Sequence, residues 1–351
     1  MLTMGWSGRI CALIGGIVLS ATILEGARAQ TPADVAAISG PDRMQKLIDG
    51  AKRENALSLY TSSSPEDMSV IAGAFEKKYG VKAKIWRGSS SEMLQRALNE
   101  NRAGRAEVDT YETTGPTMEV FHREGLLQRI DTPSSAQLMP QASFPHKEWV
   151  ASRLNTFVPA FNTNVFRKAD APKAWEDFLD PKYKGKLSIE DTAVDWFASV
   201  VSDMGEEKGL RLFKDIVARN GISPRRGNTL LANMIAAGEA PASLTSYENV
   251  VLRMKEGGAP VDISYVSPVF STPTGIGVSK KAPHPHAAVL FFEFMLTDGQ
   301  KLYFERGVNP TNISIKPLPA GVDMKFVNFP EIMDHLERWT KLFKETFSAR
   351  R

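Results

Sequence analysis

The sequence has 351 residues, is 42% hydrophobic and carries a formal net charge of +3 at pH 7. This near-balance of charge gives no general case for binding to nucleic acid or to an anionic membrane surface. The one cysteine is Cys11, so an intramolecular disulfide and a zinc–thiolate cluster are both excluded. The length exceeds that of a usual single domain and predicts two lobes.

The first 29 residues have the layout of a secretory signal peptide. Arg9 supplies a positive charge, residues 10–24 are apolar, and Ala27-Arg28-Ala29 forms an A-x-A cleavage site. The apolar run is short for a bilayer, which needs about twenty residues. We therefore expect export to the periplasm with cleavage before Gln30. Cleavage removes two arginines, one glutamate and the cysteine, so the formal charge falls from +3 to +2.

The first half of the remaining chain alternates between predicted helices and strands. A helix over 44–51 comes first, and three short strands follow, at 57–60, 81–85 and 106–111. Ser64 precedes Pro65, and Ser89 stands three residues before Glu92, so both serines are predicted to cap helices. Strands and helices in this order indicate a parallel sheet wound by helices.

The loops that follow these strands are rich in hydroxyl groups. In a wound parallel sheet the ligand crevice lies at the carboxyl ends of the strands. Helix N-termini there present unpaired N–H groups and a partial positive charge, which suit an anionic or strongly polar ligand. Each serine taken alone could simply cap a helix. The predicted ligand-binding residues of this half are Thr61, Ser62, Ser63, Gly88, Ser89, Ser90, Glu112 and Thr113.

A second α/β unit is predicted over residues 158–271. Its strand 187–189 ends in an acidic pair, and a strand from 238 leads to a tyrosine at its end. Residues 269–278 predict the crossover back to the first lobe, and an amphipathic helix from Pro283 is expected to end near Gly307. A last helix with an aromatic face follows. The predicted ligand-binding residues here are Glu190, Asp191, Thr192, Trp196, Arg226 and Tyr247.

Three short motifs lie in register between residues 160 and 191. They read Asn162-Thr163-Asn164, Pro172-x-x-Trp175-Glu176-Asp177-Phe178 and Asp180-Pro181-Lys182-Tyr183-Lys184-Gly185-Lys186. The segment resembles one in the periplasmic solute-binding proteins of ABC importers, where a hinge strand leads through an Asn-Thr turn into the second lobe. Further matches at 75–80, 88–90 and 124–127 extend the resemblance over nearly the whole mature chain. It is closest to the iron(III)-transport type of the extracellular solute-binding family.

The resemblance implies a two-lobed clamp with the type II periplasmic-binding-protein fold, an α/β fold in which helices flank a mostly parallel sheet in each lobe. Lobe 1 would comprise residues 30–157 and 272–351, and lobe 2 residues 158–271. It implies a monomer without a cofactor that closes about its solute and docks on a membrane permease and its ATPase. A partner that presents a ligand to a periplasmic sensor would have the same fold.

The resemblance leaves the solute open. Ferric members hold the metal through a Tyr-Tyr pair about ten residues after a Gly-Glu, whereas Gly238-Glu239 is followed by one tyrosine, and the two positions fall on Glu248 and Asn249. One alternative is a ferric ion carried as cargo by Tyr247, Glu248 and Glu112. The other is a small polar organic or oxyanion solute, with charge from Arg87, Arg225 or Arg226. The missing second tyrosine favours the organic or oxyanion solute.

Motifs of catalysis are missing from the sequence. It contains no G-x-S-x-G elbow, H-E-x-x-H pair, Walker loop or dinucleotide fingerprint. His284-Pro285-His286 could suggest a metal site, but its place at the start of a long helix predicts a surface turn. The sequence therefore predicts a binding protein and not an enzyme.

Overall fold

The computed structural model describes residues 30–105, 107–315 and 322–347, and the predicted signal peptide lies outside the described residues. The strands are β1 (Ala56–Thr61), β2 (Lys82–Arg87), β3 (Thr110–Thr114), β4 (Trp149–Asn162), β5 (Leu187–Glu190), β6 (Ser223–Arg225), β7 (Ala242–Tyr247), β8 (Val261–Ile263), β9 (Val269–Val278), β10 (Asn309–Pro310) and β11 (Met324–Phe326). The helices are α1 (Pro32–Ala36), α2 (Arg43–Glu54), α3 (Pro65–Tyr79), α4 (Ser90–Arg102), α5 (Gly115–Arg123), α6 (Val194–Met204), α7 (Glu206–Asn220), α8 (Asn228–Ala237), α9 (Glu248–Glu256), α10 (Pro285–Leu296), α11 (Asp298–Glu305), α12 (Phe329–Asp334) and α13 (Leu336–Phe347).

Lobe 1 is a mixed sheet in the order β2–β1–β3–β9–β4 with helices packed against it. Strand β1 pairs in parallel with β2 and β3, and β9 pairs antiparallel with β3 and β4. Leucine side chains of β1 are fully buried under α3 and α10. Phe75 of α3 contacts Phe291 and Phe294 of α10, with ring centroids 5.1 and 5.5 Å apart. This aromatic contact joins two helices that are far apart in the sequence into one core.

Lobe 2 continues the sheet in the order β4–β7–β5–β6, and β8 also pairs with β4. Strand β5 lies parallel to β6 and β7, while β7 is antiparallel to β4. Its core is rich in aromatic side chains from α6, α7 and the segment before β5. Because β5 and β7 run in parallel, their carboxyl ends meet at one edge, as those of β1 and β3 do in lobe 1.

Strand β4 belongs to both lobes. It pairs with β9 from Trp149 to Thr156 and with β7 from Phe157 onward. Side chains alternate along a strand, so Arg153, Asn155 and Phe157 share one face while Thr156 lies on the other. The crossover predicted at 269–278 is confirmed, since β9 covers these residues. Together, β4 and β9 form the connection about which the lobes could move.

Two predicted elements differ from the structure. The strand predicted at 106–111 is observed at 110–114. Asp109, just before this strand, hydrogen-bonds with Ser58 of β1 and accepts the Ser279 N–H. The predicted amphipathic helix after Pro283 consists of α10 and α11, with a break at Thr297. Every residue of α10 is buried, because the helix lies between α2 and the sheet. A helix that is enclosed on all sides is mostly apolar on every face, so α10 is not amphipathic.

The C-terminal helix packs on lobe 2. The ring of Phe197 in α6 lies 5.6 Å from that of Phe343 and 5.3 Å from that of Phe347, centroid to centroid. The predicted assignment of residues 272–351 to lobe 1 therefore does not describe α13, whose aromatic face completes the core of lobe 2. In the part of the chain that the structure describes, no helix has both the length and the apolar character needed to cross a membrane.

Candidate functional site

The candidate cleft has as its floor the face that the hinge strands β4 and β9 share between the lobes. Arg153 stands opposite Thr274, and Asn155 opposite Thr272, on adjacent strands. An Nη1 hydrogen bond links Arg153 to the Oδ1 of Asn155 at 3.4 Å, and Asn155 Nδ2 donates to Thr274 Oγ1 at the same distance. A guanidinium and three small polar side chains thus line this face.

The lobe 1 wall is organised around Glu112, which is 0% exposed. Its Oε2 accepts hydrogen bonds from Thr61 Oγ1 at 2.5 Å and Ser63 Oγ at 2.8 Å. Its Oε1 accepts from Tyr303 Oη and from Arg153 Nε, each at 3.2 Å. Both carboxylate oxygens are therefore saturated by protein donors, and the negative charge is paired.

Arg153 is the cation of this network, and its side chain is 14% exposed. Burial acts to lower the pKa of the guanidinium, but the charge of Glu112 and the hydrogen bonds outweigh it, so that the pKa is raised. Burial and the charge of Glu112 raise the pKa of Tyr303, which stays a neutral donor. Arg153 uses three N–H groups, on Glu112, Asn155 and the Oγ of Ser63. Tyr303 is a fourth hydrogen-bonding partner of Arg153, and these four contacts do not use all five N–H groups of the guanidinium.

The other predicted residues of lobe 1 lie around α4. Ser89 Oγ accepts the Glu92 N–H at 3.2 Å and completes a capping box. Ser90 Oγ accepts a hydrogen bond from Thr113 Oγ1 at 2.9 Å. Gly88 is buried, and a Cβ there would lie 2.4 Å from the Trp86 ring. Ser62 is partly exposed and donates its N–H to the carbonyl of Glu112. The structure thus gathers Thr61, Ser63 and Glu112 into one network and Ser90 and Thr113 into another.

The lobe 2 wall is formed by Tyr247 and Asp195. Tyr247 is the last residue of β7, and its ring lies 5.3 Å from the Phe157 ring, centroid to centroid. Asp195 is in the first turn of α6, where its Oδ1 accepts the Trp196 N–H at 2.9 Å. Burial raises the pKa of Asp195 to about 6. Burial and the charges of Asp195 and Glu190 also raise the pKa of Tyr247, against the opposing charge of Arg153.

Glu190 ties together two loops of lobe 2. Its Oε2 accepts hydrogen bonds from the N–H and the Oγ1 of Thr192, at 2.8 and 2.7 Å. Its Oε1 accepts the Gly227 N–H at 3.0 Å. Asp191 lies 3.5 Å from Arg226, whose side chain is 83% exposed. The carboxylate of Glu190 therefore holds the Thr192 loop against the loop that carries Arg226.

Two predicted residues lie away from the cleft. Trp196 is 1% exposed and packs between Trp175 and Phe213 in the core of lobe 2. Glu248 accepts hydrogen bonds from Tyr265 Oη and Asn309 Nδ2.

The position of Glu248 separates it from the other carboxylate of the predicted metal set. The amide of Asn309 that contacts Glu248 also donates to Thr156 Oγ1 at 3.3 Å. Thr156 lies on the face of β4 opposite to that of Arg153, which pairs with Glu112. The structure therefore does not bring Glu112, Tyr247 and Glu248 together around one point.

Three residues of the site were not predicted from the sequence, namely Arg153, Asp195 and Tyr303. A signal existed for Arg153, because it is the one ionisable residue in the strand that reads WVASRLNTFVPAFN. A lone charge in a buried and otherwise uncharged strand needs a partner or a ligand. Tyr303 carried no such signal, since it lies 191 residues from Glu112 in the sequence.

The chain is similar to proteins that are named for iron. It is 22% identical over 296 residues to the iron uptake protein A1 of Synechocystis sp., covering 79% of this chain and 80% of that protein. It is 23% identical over 308 residues to the Fe(3+)-binding periplasmic protein of Serratia marcescens, covering 81% and 90%. These are alignments over most of both chains.

The fold also matches a solved structure with a different ligand. The periplasmic binding protein AfuA of Actinobacillus pleuropneumoniae, with fructose-6-phosphate bound, superposes with a TM-score of 0.69 at 22% identity. The match covers 84% of this chain and 99% of that one. The predicted fold, a two-lobed periplasmic binding protein, is thereby confirmed.

The family model described as bacterial extracellular solute-binding protein matches residues 71–324. This range is well over half of the chain and includes Glu112, Arg153, Asp195 and Tyr247. It confirms the predicted family, whose members bind solutes and do not catalyse reactions. The chain belongs to the bacterial extracellular solute-binding proteins.

Proposed function

We propose that this protein is the solute-binding component of an ABC importer and that it captures a small polar or anionic solute between its lobes. It is exported to the periplasm with cleavage before Gln30, acts as a monomer, and delivers the solute to a permease and its ATPase. Lobe 2 extends over residues 158–271, with α13 packed on it. A role as ligand-presenting partner of a periplasmic sensor would use the same cleft.

One observation carries the anionic preference, namely the guanidinium of Arg153 on the floor of the cleft. Its charge is paired with Glu112, yet the contacts with Glu112, Asn155, Ser63 and Tyr303 do not use all five of its N–H groups. Guanidinium N–H groups form charge-assisted hydrogen bonds with carboxylate and phosphate oxygens. The N-termini of α3 and α4, at the carboxyl ends of β1 and β2, add partial positive charge.

Ferric ion is the second candidate, because relatives of this chain are named for iron. Glu112 would have to exchange four protein donors for the metal, and a trivalent cation there would stand beside Arg153. Tyr247 would have to ionise although its pKa is raised. Both requirements cost free energy that a neutral or anionic solute does not face, so the anionic solute is the better-supported cargo.

The solute can be identified by native mass spectrometry. The protein is exported to the periplasm, purified without chelators, and weighed in its native and denatured states. A mass excess equal to a small organic molecule or oxyanion supports the proposal. An excess equal to iron would replace it with the ferric alternative, and no excess even after incubation with periplasmic extract would contradict it. The denatured mass also reports whether the chain begins at Gln30.

The substitution Tyr247→Phe separates the two cargoes. A solute that packs on the ring should keep its affinity within about threefold, whereas a metal held by the phenolate should lose at least about a hundredfold. Tyr247→Ala should weaken either cargo at least about tenfold, and undiminished affinity by calorimetry would contradict the position of Tyr247 in the site. Tyr183→Phe is the matched control, because Tyr183 is buried in the core of lobe 2.

A further inference from the structure

The acidic residues around the cleft differ in how their charges are compensated. Glu112 and Glu190 are saturated by hydrogen bonds from the protein, and Asp191 pairs with Arg226. Asp195 differs from these, because its hydrogen-bonding partners are the Trp196 N–H and Thr272. Within the described ranges, no lysine, arginine or histidine forms an ion pair or a hydrogen bond with its carboxylate.

Asp195 and Tyr247 lie together on the lobe 2 side. Tyr247 is the last residue of β7 and Asp195 follows the neighbouring parallel strand β5, so both lie at the same edge of the sheet. The Tyr247 ring packs against Phe157 and adds aromatic surface at this edge. A carboxylate next to an aromatic ring attracts an ammonium group, by Coulomb attraction and by cation–π attraction.

Arg153 lies on the same face of β4 as Phe157, four residues before it. At about 3.3 Å per residue, the two positions are about 13 Å apart along the strand. Tyr247 stands opposite Phe157 in the register. Arg153 hydrogen-bonds Asn155, which stands opposite Thr272, and Thr272 is a hydrogen-bonding partner of Asp195. The cation on the floor and the carboxylate on the lobe 2 side are therefore separated by a distance that a small molecule can span.

We propose that the solute is a zwitterion, whose carboxylate or other oxyanion binds Arg153 and the lobe 1 hydroxyl groups and whose ammonium binds Asp195 and the Tyr247 ring. This inference rests on the proposed function and adds the charge class of the solute. Each end of such a molecule contacts a different lobe, so both attractions are complete only when the lobes close on it. Closure is then favoured by the charges that the solute itself carries.

The experiment compares matched molecules that differ only in their charges. Isothermal titration is carried out with β-alanine, 4-aminobutyrate and 5-aminopentanoate, with the carboxylates of the same chain lengths, and with the corresponding alkylamines. We expect at least one zwitterion to bind about tenfold or more tightly than both singly charged analogues. The exported protein is extracted in parallel, and the charged groups of any retained solute are identified.

Asp195→Asn tests the residue itself. The amide keeps the shape and the Oδ1 acceptor, so the fold should persist, which thermal unfolding checks. The variant should lose the preference for the zwitterion over its carboxylate analogue, while affinity for the carboxylate changes by less than about threefold. Asp215→Asn, at an exposed position of α7, should keep the preference and is the control.

The outcomes separate this inference from the proposed function. Carboxylates that bind as tightly as their zwitterions, an unchanged preference in Asp195→Asn, or a retained solute without a cationic group would each overturn the inference and leave an anionic solute in place. A retained zwitterion would support the inference and the proposed function, even if the three test molecules do not bind because they are too short to reach both charges. Retained iron, or the absence of binding by every probe and of any retained solute, would overturn both.

Discussion

Arg153 and Glu112 form an ion pair that has little contact with solvent, and the free energy of such a pair depends on both partners. Removing two charges from water costs several kcal/mol for each ion, and their attraction repays this only while both are present. Glu112 also holds hydroxyl groups from β1 and from α11. The pair therefore positions the lobe 1 wall as well as providing a cation to the cleft.

Arg153→Met should lower the free energy of unfolding by about 3 kcal/mol, because Glu112 is then left buried without its cation. Glu112→Gln should cost a similar amount for the opposite reason. The double variant should recover at least about half of the summed loss, since neither charge remains. Urea unfolding of all four proteins measures this coupling. Strictly additive losses would show that the two charges act independently.

The sequence indicates which residues that follow strands lie close together, but not those whose position depends on the pairing of strands. The structure joins Thr61, Ser63 and Glu112 in one network, as expected because the carboxyl ends of parallel strands meet at one edge. Arg153 was not predicted, because its contacts depend on which face of β4 it occupies and on the pairing of β4 with both lobes. Trp196 was predicted to bind the ligand, whereas the structure buries it between Trp175 and Phe213 in the core of lobe 2.

Local signals predicted the elements better than the contacts between them. Ser64 and Ser89 cap α3 and α4, as their spacing indicated. The extent of α10 was not predicted, because its burial depends on α2 lying over it, far away in the sequence. The docking of α13 on lobe 2 was missed for the same reason, since an aromatic stripe shows that a helix packs but not on what.

The docking of α13 can be tested with one substitution. Phe343→Ala removes a ring that is 4% exposed and packs on Phe197, so we expect a loss of about 3–5 kcal/mol in the free energy of unfolding. Leu336→Ala on the same helix is the control, because Leu336 is 48% exposed and should cost less than about 1 kcal/mol. Hydrogen exchange should increase in α6 and α7 in the Phe343 variant. An increase confined to lobe 1 would contradict the packing on lobe 2.

At the scale of the whole molecule, two histidine–carboxylate pairs fix the start of α10. The sequence predicted a surface turn at 284–286, but His286 is 7% exposed and its Nδ1 lies 2.8 Å from Glu54 Oε1. His284 Nδ1 lies 2.9 Å from Asp109 Oδ2, and Asp109 also accepts the Ser58 N–H. These contacts connect α10 with α2 and with the segment that enters β3. The assembly of lobe 1 is therefore linked to the protonation of His284.

Protonation of His284 changes the free energy of unfolding in a definite direction. The hydrogen bond with Asp109 raises the pKa of His284, against a smaller opposing effect of burial. A histidine with a raised folded-state pKa stabilises the fold fully below its unfolded pKa of about 6.5, and this contribution is lost as the pH rises through the folded-state pKa.

His284→Gln should therefore cost about 0.5–1 kcal/mol more at about pH 6 than at about pH 8.5. Urea unfolding at the two pH values measures the difference, and Phe343→Ala, which changes no charge, should lose the same free energy at both. An equal cost of His284→Gln at the two pH values would show that the pair with Asp109 does not couple the fold to protons.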